Sequence, residues 1–551
     1  MSSYAIPVLE IPASLPADEV YLVASGDLRQ SANKVCWQAQ SEVERKVTEA
    51  FAAEGIRIHR AHPFDPELGH GFIYNQRMGM DVFMNVDPNA PIIVAEAVWQ
   101  YSHNVFSGLQ NHRGPILTLA NWSGQWPGLV GMLNLNGCLH KAGIEFSTIW
   151  SKDFDDDYFR NGIREWLAEH RITHDQSHVH PFDLSAIAAP ERELGEALAR
   201  DLKKRKAILG VFDEGCMGMY NAIVEDHLLN HAGMYKERLS QSALAAAMKE
   251  IPASEAQKVR DWLDQRGVTF VTGPNPESDL TDGQILEQCK MYIAAVRIAK
   301  DFGCDAIGIQ YQQGLKDVAP ASDLVEALLN NVERPPVFDA NGQELYAGAP
   351  LPHFNEVDEC AGVDAVVTNR VWTAMHLDPA TTLHDVRWGE HYQGPTNGGE
   401  PIDEFVWLFQ ISGAVPASHL QGGYAKSISE RQPAMYFRLG GGTLKGVSKA
   451  GEIVWSRVFV EGGHLHCDIG RATALDLPAA ETARRWKEAT TQWPIMNAIL
   501  HGINRDQFMA RHRANHVNVA YAPTPELADK ALAAKAAMLA ELGIEVHRCG
   551  D

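Results

Sequence analysis

A chain of 551 residues with 45% hydrophobic content is too long for one ordinary core, and its length suits roughly three or four domains. With 21% charged residues and no long low-complexity tract, it does not read as disordered. A formal net charge of −22 repels phosphate backbones and anionic lipid, which disfavours nucleic-acid and membrane binding; the plainer meaning of the charge is solubility.

The first third alternates short apolar runs with amphipathic stretches. Strands are predicted at Val20–Ala24, Asp81–Val86, Ile92–Ala95, Pro115–Ala120 and Ile144–Trp150. Helices are predicted from Ala39 to Glu54, stopped by Gly55, and from about Pro127 to Ala142, stopped by Gly143. The acidic cluster Asp153, Asp155, Asp156 and Asp157 suits a dipole-favoured helix start better than a cation site. This alternation predicts a parallel, doubly wound α/β domain over residues 1–205. A second α/β domain is predicted over 206–370. It has strands at Ala207–Phe212 and Asp305–Gln310, and helices over Ser240–Glu250, Ser254–Gln265 and Asp282–Phe302. The composition then changes. Strands predicted at Ala434–Leu439, Glu452–Val460 and His464–Ile469 are separated by glycines and point to a β-rich C-terminal domain over 371–551. Helices over Ala480–Thr490 and Pro525–Leu542 complete it.

The eight cysteines are scattered and form no CxxC pair, which suits reduced thiols in a cytosol rather than a disulfide framework. The first residues, Met1 to Pro7, lack a basic region followed by an apolar one, and no apolar run reaches about 18 residues. The expected location is cytoplasmic.

Three polar islands carry chemistry: Asn355-Glu356-Val357-Asp358, His384-Asp385-Val386-Arg387-Trp388 and Asn515-His516. Each alone reads more readily as a polar loop, a capping aspartate or a structural histidine. If a fold joins them, two carboxylates and an imidazole suit a divalent ion that keeps positions open for water or substrate. His464-Leu465-His466-Cys467 places two imidazoles on one face of a strand, a rival metal site without accompanying zinc spacing. Gly440–Gly446 lacks the GK[ST] ending of a phosphate loop, and Gly215-Cys216-Met217-Gly218 is not GxGxxG. Trp99, Tyr101, Gln310, Gln312 and Trp493 are material for a sugar site, where aromatic faces stack and amides bond hydroxyls; core packing is the competing reading for each tryptophan.

At these residues the chain resembles the L-fucose/L-arabinose isomerase-like family. The Glu356 segment, Asp385-Val386-Arg387-Trp388 and Asn515-His516 are similar to the family's metal segments. Gln310-Tyr311-Gln312, Glu326–Asn330, Trp493-Pro494, Cys216-Met217-Gly218 with Ile223-Val224, and Trp99-Gln100-Tyr101 add to the likeness, and Gly26-Asp27-Leu28-Arg29 is a looser counterpart. The stretch from Asp385 to Gly422 departs from the family. The resemblance implies an L-fucose isomerase-like fold of two α/β domains and a β-rich C-terminal domain, assembled as a homo-hexamer. It implies Mn²⁺, with Co²⁺ or Mg²⁺ as alternatives, on Glu356, Asp385 and His516. Substrate contacts would come from Gln310, Trp493, Asn515 and Tyr424, with Arg29 and Trp99 supplied by a neighbouring subunit.

The expected activity is aldose–ketose isomerisation of an open-chain sugar, L-fucose/D-arabinose-like or modified, through a cis-enediol. Glu356 and Asp385 would move protons and His516 would only bind metal. The alternative is epimerase, lyase or decarboxylase chemistry on a sugar acid or modified sugar at the same site. A non-catalytic sugar binder is the third reading.

Overall fold

The computed structural model describes residues 11–126, 128–411, 413 and 415–551, and for Cys216 its backbone only. The chain is α/β and groups into two compact units. One takes the described residues up to Trp122 and Ile144–Thr173; the other takes Ser123–Gly143 and His174–Asp551.

The first unit is built on five parallel strands: β1 (Glu19–Val23), β2 (Arg57–Arg60), β3 (Ile92–Glu96), β4 (Ile116–Asn121) and β5 (Ser147–Ser151). Their order is β2-β1-β3-β4-β5. β3 and β5 are buried along their whole length, as the continuous apolar runs of a doubly covered parallel sheet require. The helix Gln30–Ala53 starts earlier than predicted. Asp156 caps the helix Asp157–Glu169 through the Phe159 amide, so the acidic cluster is a helix start.

One predicted strand is corrected. The first half of Asp81–Val86 ends the helix Gln76–Phe83, whose N-cap Asn75 accepts the Met78 amide, and the second half is a turn. A short apolar run does not choose between strand and helix, and the cap upstream decides it. Gly79 then permits close approach to the helix His103–Asn111, because a Cβ there would lie 1.7 Å from the Asn104 carbonyl oxygen.

In the second unit, β7 (Ala207–Phe212), β8 (Met234–Leu239) and β10 (Ala306–Ile309) form a parallel sheet in the order β10-β7-β8. They follow the short β6 (Val179–Pro181), and β9 (Thr269–Phe270) pairs separately with β13 (Ile428–Ser429). The predicted helices recur as Gln241–Glu250, Ala253–Gln265 and Asp282–Asp301, the last opened by a Thr281/Gln284 capping box. The predicted start of another helix at Pro127 lies outside the described residues; the helix is seen over Gly128–Lys141.

The remaining strands are β11 (Thr382–Pro395), β12 (Pro401–Phe409), β14 (Gly451–Glu461), β15 (His464–Ala474), β16 (Met496–Leu500), β17 (His516–Ala522) and β18 (Glu545–Cys549). The ladder runs β14-β17-β11-β12-β16-β15, and β15 pairs back with β14, closing an antiparallel barrel. β18 adds to the free part of the β15 edge, and β6 lies outside it. The long β11–β12 hairpin occupies the stretch for which no element was predicted. Its turn is Thr396-Asn397-Gly398-Gly399-Glu400, a hairpin signal in the sequence. The predicted strand at Ala434–Leu439 is a turn instead: Pro433 opens it, and its carbonyl accepts the amides of Tyr436 and Phe437. Among the described residues no helix is long and apolar enough to cross a membrane.

Candidate metal centre

The barrel register does much of the assembly. β11 and β17 run antiparallel with Asp385 directly opposite His516. Opposed residues on such a pair place their side chains on the same face as neighbours. The result is Nε2 of His516 3.5 Å from Oδ1 of Asp385. Asn515, one residue before, donates to the same carboxylate at 3.1 Å and fixes its rotation.

Glu356 arrives from elsewhere. Phe354 bonds back to β10, its amide reaching the Ile307 carbonyl, and a single turn of 3-10 helix, Asn355–Val357, follows. Within that turn Glu356 and Val357 have φ of 56° and 57°. Left-handed backbone is uncommon for glutamate and an outlier for a β-branched valine. Such strain persists only where surrounding structure imposes it, and it clusters at functional positions. It sets Oε2 of Glu356 3.7 Å from the same Nε2 of His516.

Behind the histidine stands Asp358, which no sequence reading assigned a role. One of its oxygens accepts the Ala361 amide as the N-cap of helix Glu359–Ala374. The other accepts Nδ1–H of His516 at 2.7 Å and a guanidinium N–H of Arg457 from β14. All three side chains are buried. Burial alone would raise the Asp358 carboxyl, but Arg457 and His516 hold it well below the ordinary range. In the neutral ring the proton of His516 is therefore on Nδ1, and the Nε2 lone pair faces Glu356 and Asp385. Nε2 is buried and has no hydrogen-bond partner among the described residues. Burial would lower the pKa of this imidazole, yet Asp358, Asp385 and Glu356 together raise it. Burial likewise raises the Asp385 carboxyl, against the pull of His516 and Arg387.

Glu356, Asp385 and His516 are the residues here that could hold a divalent cation. Two carboxylates flank an orphaned imidazole nitrogen, and a carboxylate on the far nitrogen fixes the tautomer, the usual arrangement behind a metal-bound histidine. The donor set is oxygen-rich with one nitrogen, which suits Mn²⁺, Co²⁺ or Mg²⁺ with open positions better than a closed zinc site.

The other predicted contacts fall in several places. Arg387 bonds the carbonyls of Gly124 and Gln125 and the Thr490 hydroxyl, and its guanidinium lies 5.7 Å from the Trp493 ring. Trp493 donates to Gln432 at 2.7 Å and stacks with Tyr436. It is thus tied through Arg387 to the strand that carries Asp385. Gln310 is buried at the carboxyl end of β10, the strand against which the Glu356 turn is anchored. Glu326, in helix Asp323–Leu329, is buried within 3.7 Å of His353 Nδ1, and His353 reaches Asn355. Tyr424 donates to the Glu333 carbonyl and lines a cavity of about 620 Å³ with Asn331, His376 and Ser418; none of the three candidate ligands lines it. Arg29 and Trp99 belong to the first unit. Arg29 pairs with Asp27 at 2.6 Å, and Trp99 is buried against Tyr101. The signal that points to Asp358 in the sequence is its place as an acidic N-cap before an apolar helix; Arg457 carries none.

No protein-family model matches the chain. No curated protein matches it. Among solved structures, a chain described as an ABC sugar transporter subunit from Rhodobacter sphaeroides 2.4.1 is similar at 12% identity. The likeness covers 66% of this chain and 94% of that one, with a TM-score of 0.17, and carries no argument about fold or function.

Proposed function

We propose that the chain is a metal-dependent aldose–ketose isomerase of the L-fucose/L-arabinose isomerase-like kind, acting on an open-chain sugar such as L-fucose, D-arabinose or a modified sugar. The observation that carries the reading is the buried, unpartnered Nε2 of His516 between Glu356 and Asp385, with Asp358 fixing the ring from behind. When bound, Mn²⁺ would supply a Lewis acid for the carbonyl and hydroxyl at the sugar's first two carbons. Glu356 and Asp385 are the proton carriers. One takes the proton from the carbon beside the carbonyl while the other, protonated, gives a proton to the carbonyl oxygen, which makes the cis-enediol; the first then delivers a proton to the former carbonyl carbon and the second takes one from the other oxygen, so both end as they began. His516 holds its ring still and moves no proton. Asn515 keeps the Asp385 oxygen aimed. Gln310 and Trp493 are proposed to bind sugar hydroxyls and the apolar sugar face. By resemblance, Arg29 and Trp99 reach the site from a neighbouring copy in a hexamer; the scattered cysteines suit a cytoplasmic location.

The test is a screen of the Mn²⁺-reconstituted chain against aldopentoses, 6-deoxyhexoses and sugar acids in deuterated water. Ketose carrying deuterium at the transferred position supports isomerisation. Carbon–carbon cleavage or release of CO₂ would overturn it in favour of lyase or decarboxylase chemistry. Glu356→Gln should fold normally and lose turnover, and near-wild-type rates would remove Glu356 from the mechanism.

A further inference from the structure

A second set of donors lies where β18 joins the barrel. By the two-residue period, β15 presents His464, His466 and Asp468 on one face. β18 pairs with it in parallel, with His466 opposite Glu545 and Asp468 opposite His547. This brings Nδ1 of His466 to 3.3 Å from Nε2 of His547. Glu545 lies 3.6 Å from that Nδ1 through one oxygen and 3.8 Å from that Nε2 through the other. One ligand atom from each of the three residues lies within 4.8 Å of the other two.

The proton positions favour a cation. Nε2 of His466 is 3.2 Å from the Glu461 carbonyl, which can only accept, so the proton sits on Nε2 and the lone pair of Nδ1 faces the cluster. A backbone carbonyl on the far nitrogen is a common support for a ligating histidine. Phe459 lies against the His466 ring with centroids 5.3 Å apart and holds its plane. Two donors each about 2.05 Å from a tetrahedral ion sit roughly 3.3 Å apart, which the two imidazole nitrogens already satisfy. The carboxylate is slightly farther, but its side chain is 62% exposed and turns freely. Asp468 does not join the set, because Arg511 takes both of its oxygens at 2.7 Å and the two charges offset each other.

We propose that His466, Glu545 and His547 form a second divalent-metal site, of the Zn²⁺ class, that clips the C-terminal strand β18 onto β15 and leaves a coordination position open to solvent. Two neutral imidazoles and one carboxylate suit a borderline ion such as Zn²⁺, whereas the oxygen-rich Glu356 set suits a harder one. The clip is independent of the isomerase reading.

Equilibrium dialysis of the full metal-stripped chain against Zn²⁺ tests it, with circular dichroism as the check on folding. The wild type should hold a Zn²⁺ ion that His547→Gln binds at least about 100-fold more weakly, beyond the range for losing an outer-shell partner alone. Glu545→Gln, at an exposed position, should weaken the same ion. Asp385→Asn should leave that ion bound. Zn²⁺ should raise the Tm of the wild type by more than that of His547→Gln. If the Glu356 site takes no metal, the wild type holds one ion instead of two, and the loss at His547 still supports the clip. Zn²⁺ binding unchanged in both His547→Gln and Glu545→Gln would overturn it, and so would loss of all bound Zn²⁺ in Asp385→Asn. In either case the two imidazoles share only a hydrogen bond.

Discussion

Asp358→Asn isolates the residue that aims His516. The substitution is nearly isosteric, and asparagine caps a helix as well as aspartate does, so the Ala361 amide keeps its acceptor. Two other partners do not. The side-chain amide facing Nδ1 of His516 is a donor in one of its two orientations, and the neutral amide no longer favours a proton on Nδ1. The ring can then place its proton on Nε2, where the lone pair is needed. Loss of such an outer-shell carboxylate typically costs 10–100-fold in metal affinity, about 1.4–2.7 kcal/mol. Arg457 loses its counter-charge while its side chain is only 1% exposed, and its Nε and Nη2 have no hydrogen-bond partner among the described residues. Breaking a buried pair from one side costs about 3–5 kcal/mol, a large share of the roughly 5–15 kcal/mol of a typical domain. Urea denaturation would measure the stability loss. The electron paramagnetic resonance signal of free Mn²⁺ would measure the affinity on protein that circular dichroism shows to be folded. Arg457→Met separates the two effects: it should lose comparable stability yet keep Mn²⁺ affinity within a few-fold, because the Asp358–His516 bond survives. Asp358→Asn with wild-type Mn²⁺ affinity would refute the aiming role, as would Arg457→Met losing affinity equally.

Chelation should abolish turnover, and Mn²⁺ should restore it; turnover that survives dialysis against a chelator counts against the metal. Lys535 is buried and bonds Asp364 and Ser456, so Lys535→Met strands the Asp364 carboxylate and should cost about 3–5 kcal/mol in urea denaturation, with the folded fraction still active. Glu359 is buried; burial outweighs its pairing with Lys236 and raises its pKa to about 7. Its contribution to stability is present in full below the ordinary glutamate value of 4.5 and is lost as pH rises to about 7, so Glu359→Gln should remove that part of the decline from a plot of urea midpoint against pH. Lys236 retains Glu214 and Asp226 in that variant, which keeps it paired.

Much of the fold is legible because periodicity survives in one dimension. The buried parallel strands β1, β3, β4, β7 and β10 are continuous apolar runs, and helices such as Asp282–Asp301 declare their caps. The errors fall where local pattern is short. Asp81–Val86 needed its upstream Asn75 cap to be read as helix, and Pro433 outweighed the aromatic run behind it. The β11–β12 hairpin is hard to read although Asn397-Gly398 marks its turn, because the part of each strand next to the turn is only partly buried and carries polar residues. At the candidate site the ligand types were readable, but their convergence was not. Nothing in the spacing of Asp385 and His516 reveals a shared register across β11 and β17, and nothing near Arg457 announces that it neutralises Asp358.

The way the three ligands are held also differs. Asp385 and His516 sit on adjacent strands inside a closed barrel, where a slip by one residue would turn every side chain of a strand to the opposite face. Their separation is thus set by the whole ladder and resists local change. Glu356 instead rides on one strained turn, anchored by Phe354 at its start and by the Asp358 cap at its end. For the proposed proton transfer, the barrel pair would supply a fixed frame, and the strained turn would hold Glu356 against it. Asp358 belongs to both, since one oxygen ends the turn and the other locks the histidine. A shift of that turn therefore changes the aim of His516 as well as the position of Glu356, which makes the segment from Asn355 to Asp358 the part of the site most sensitive to substitution.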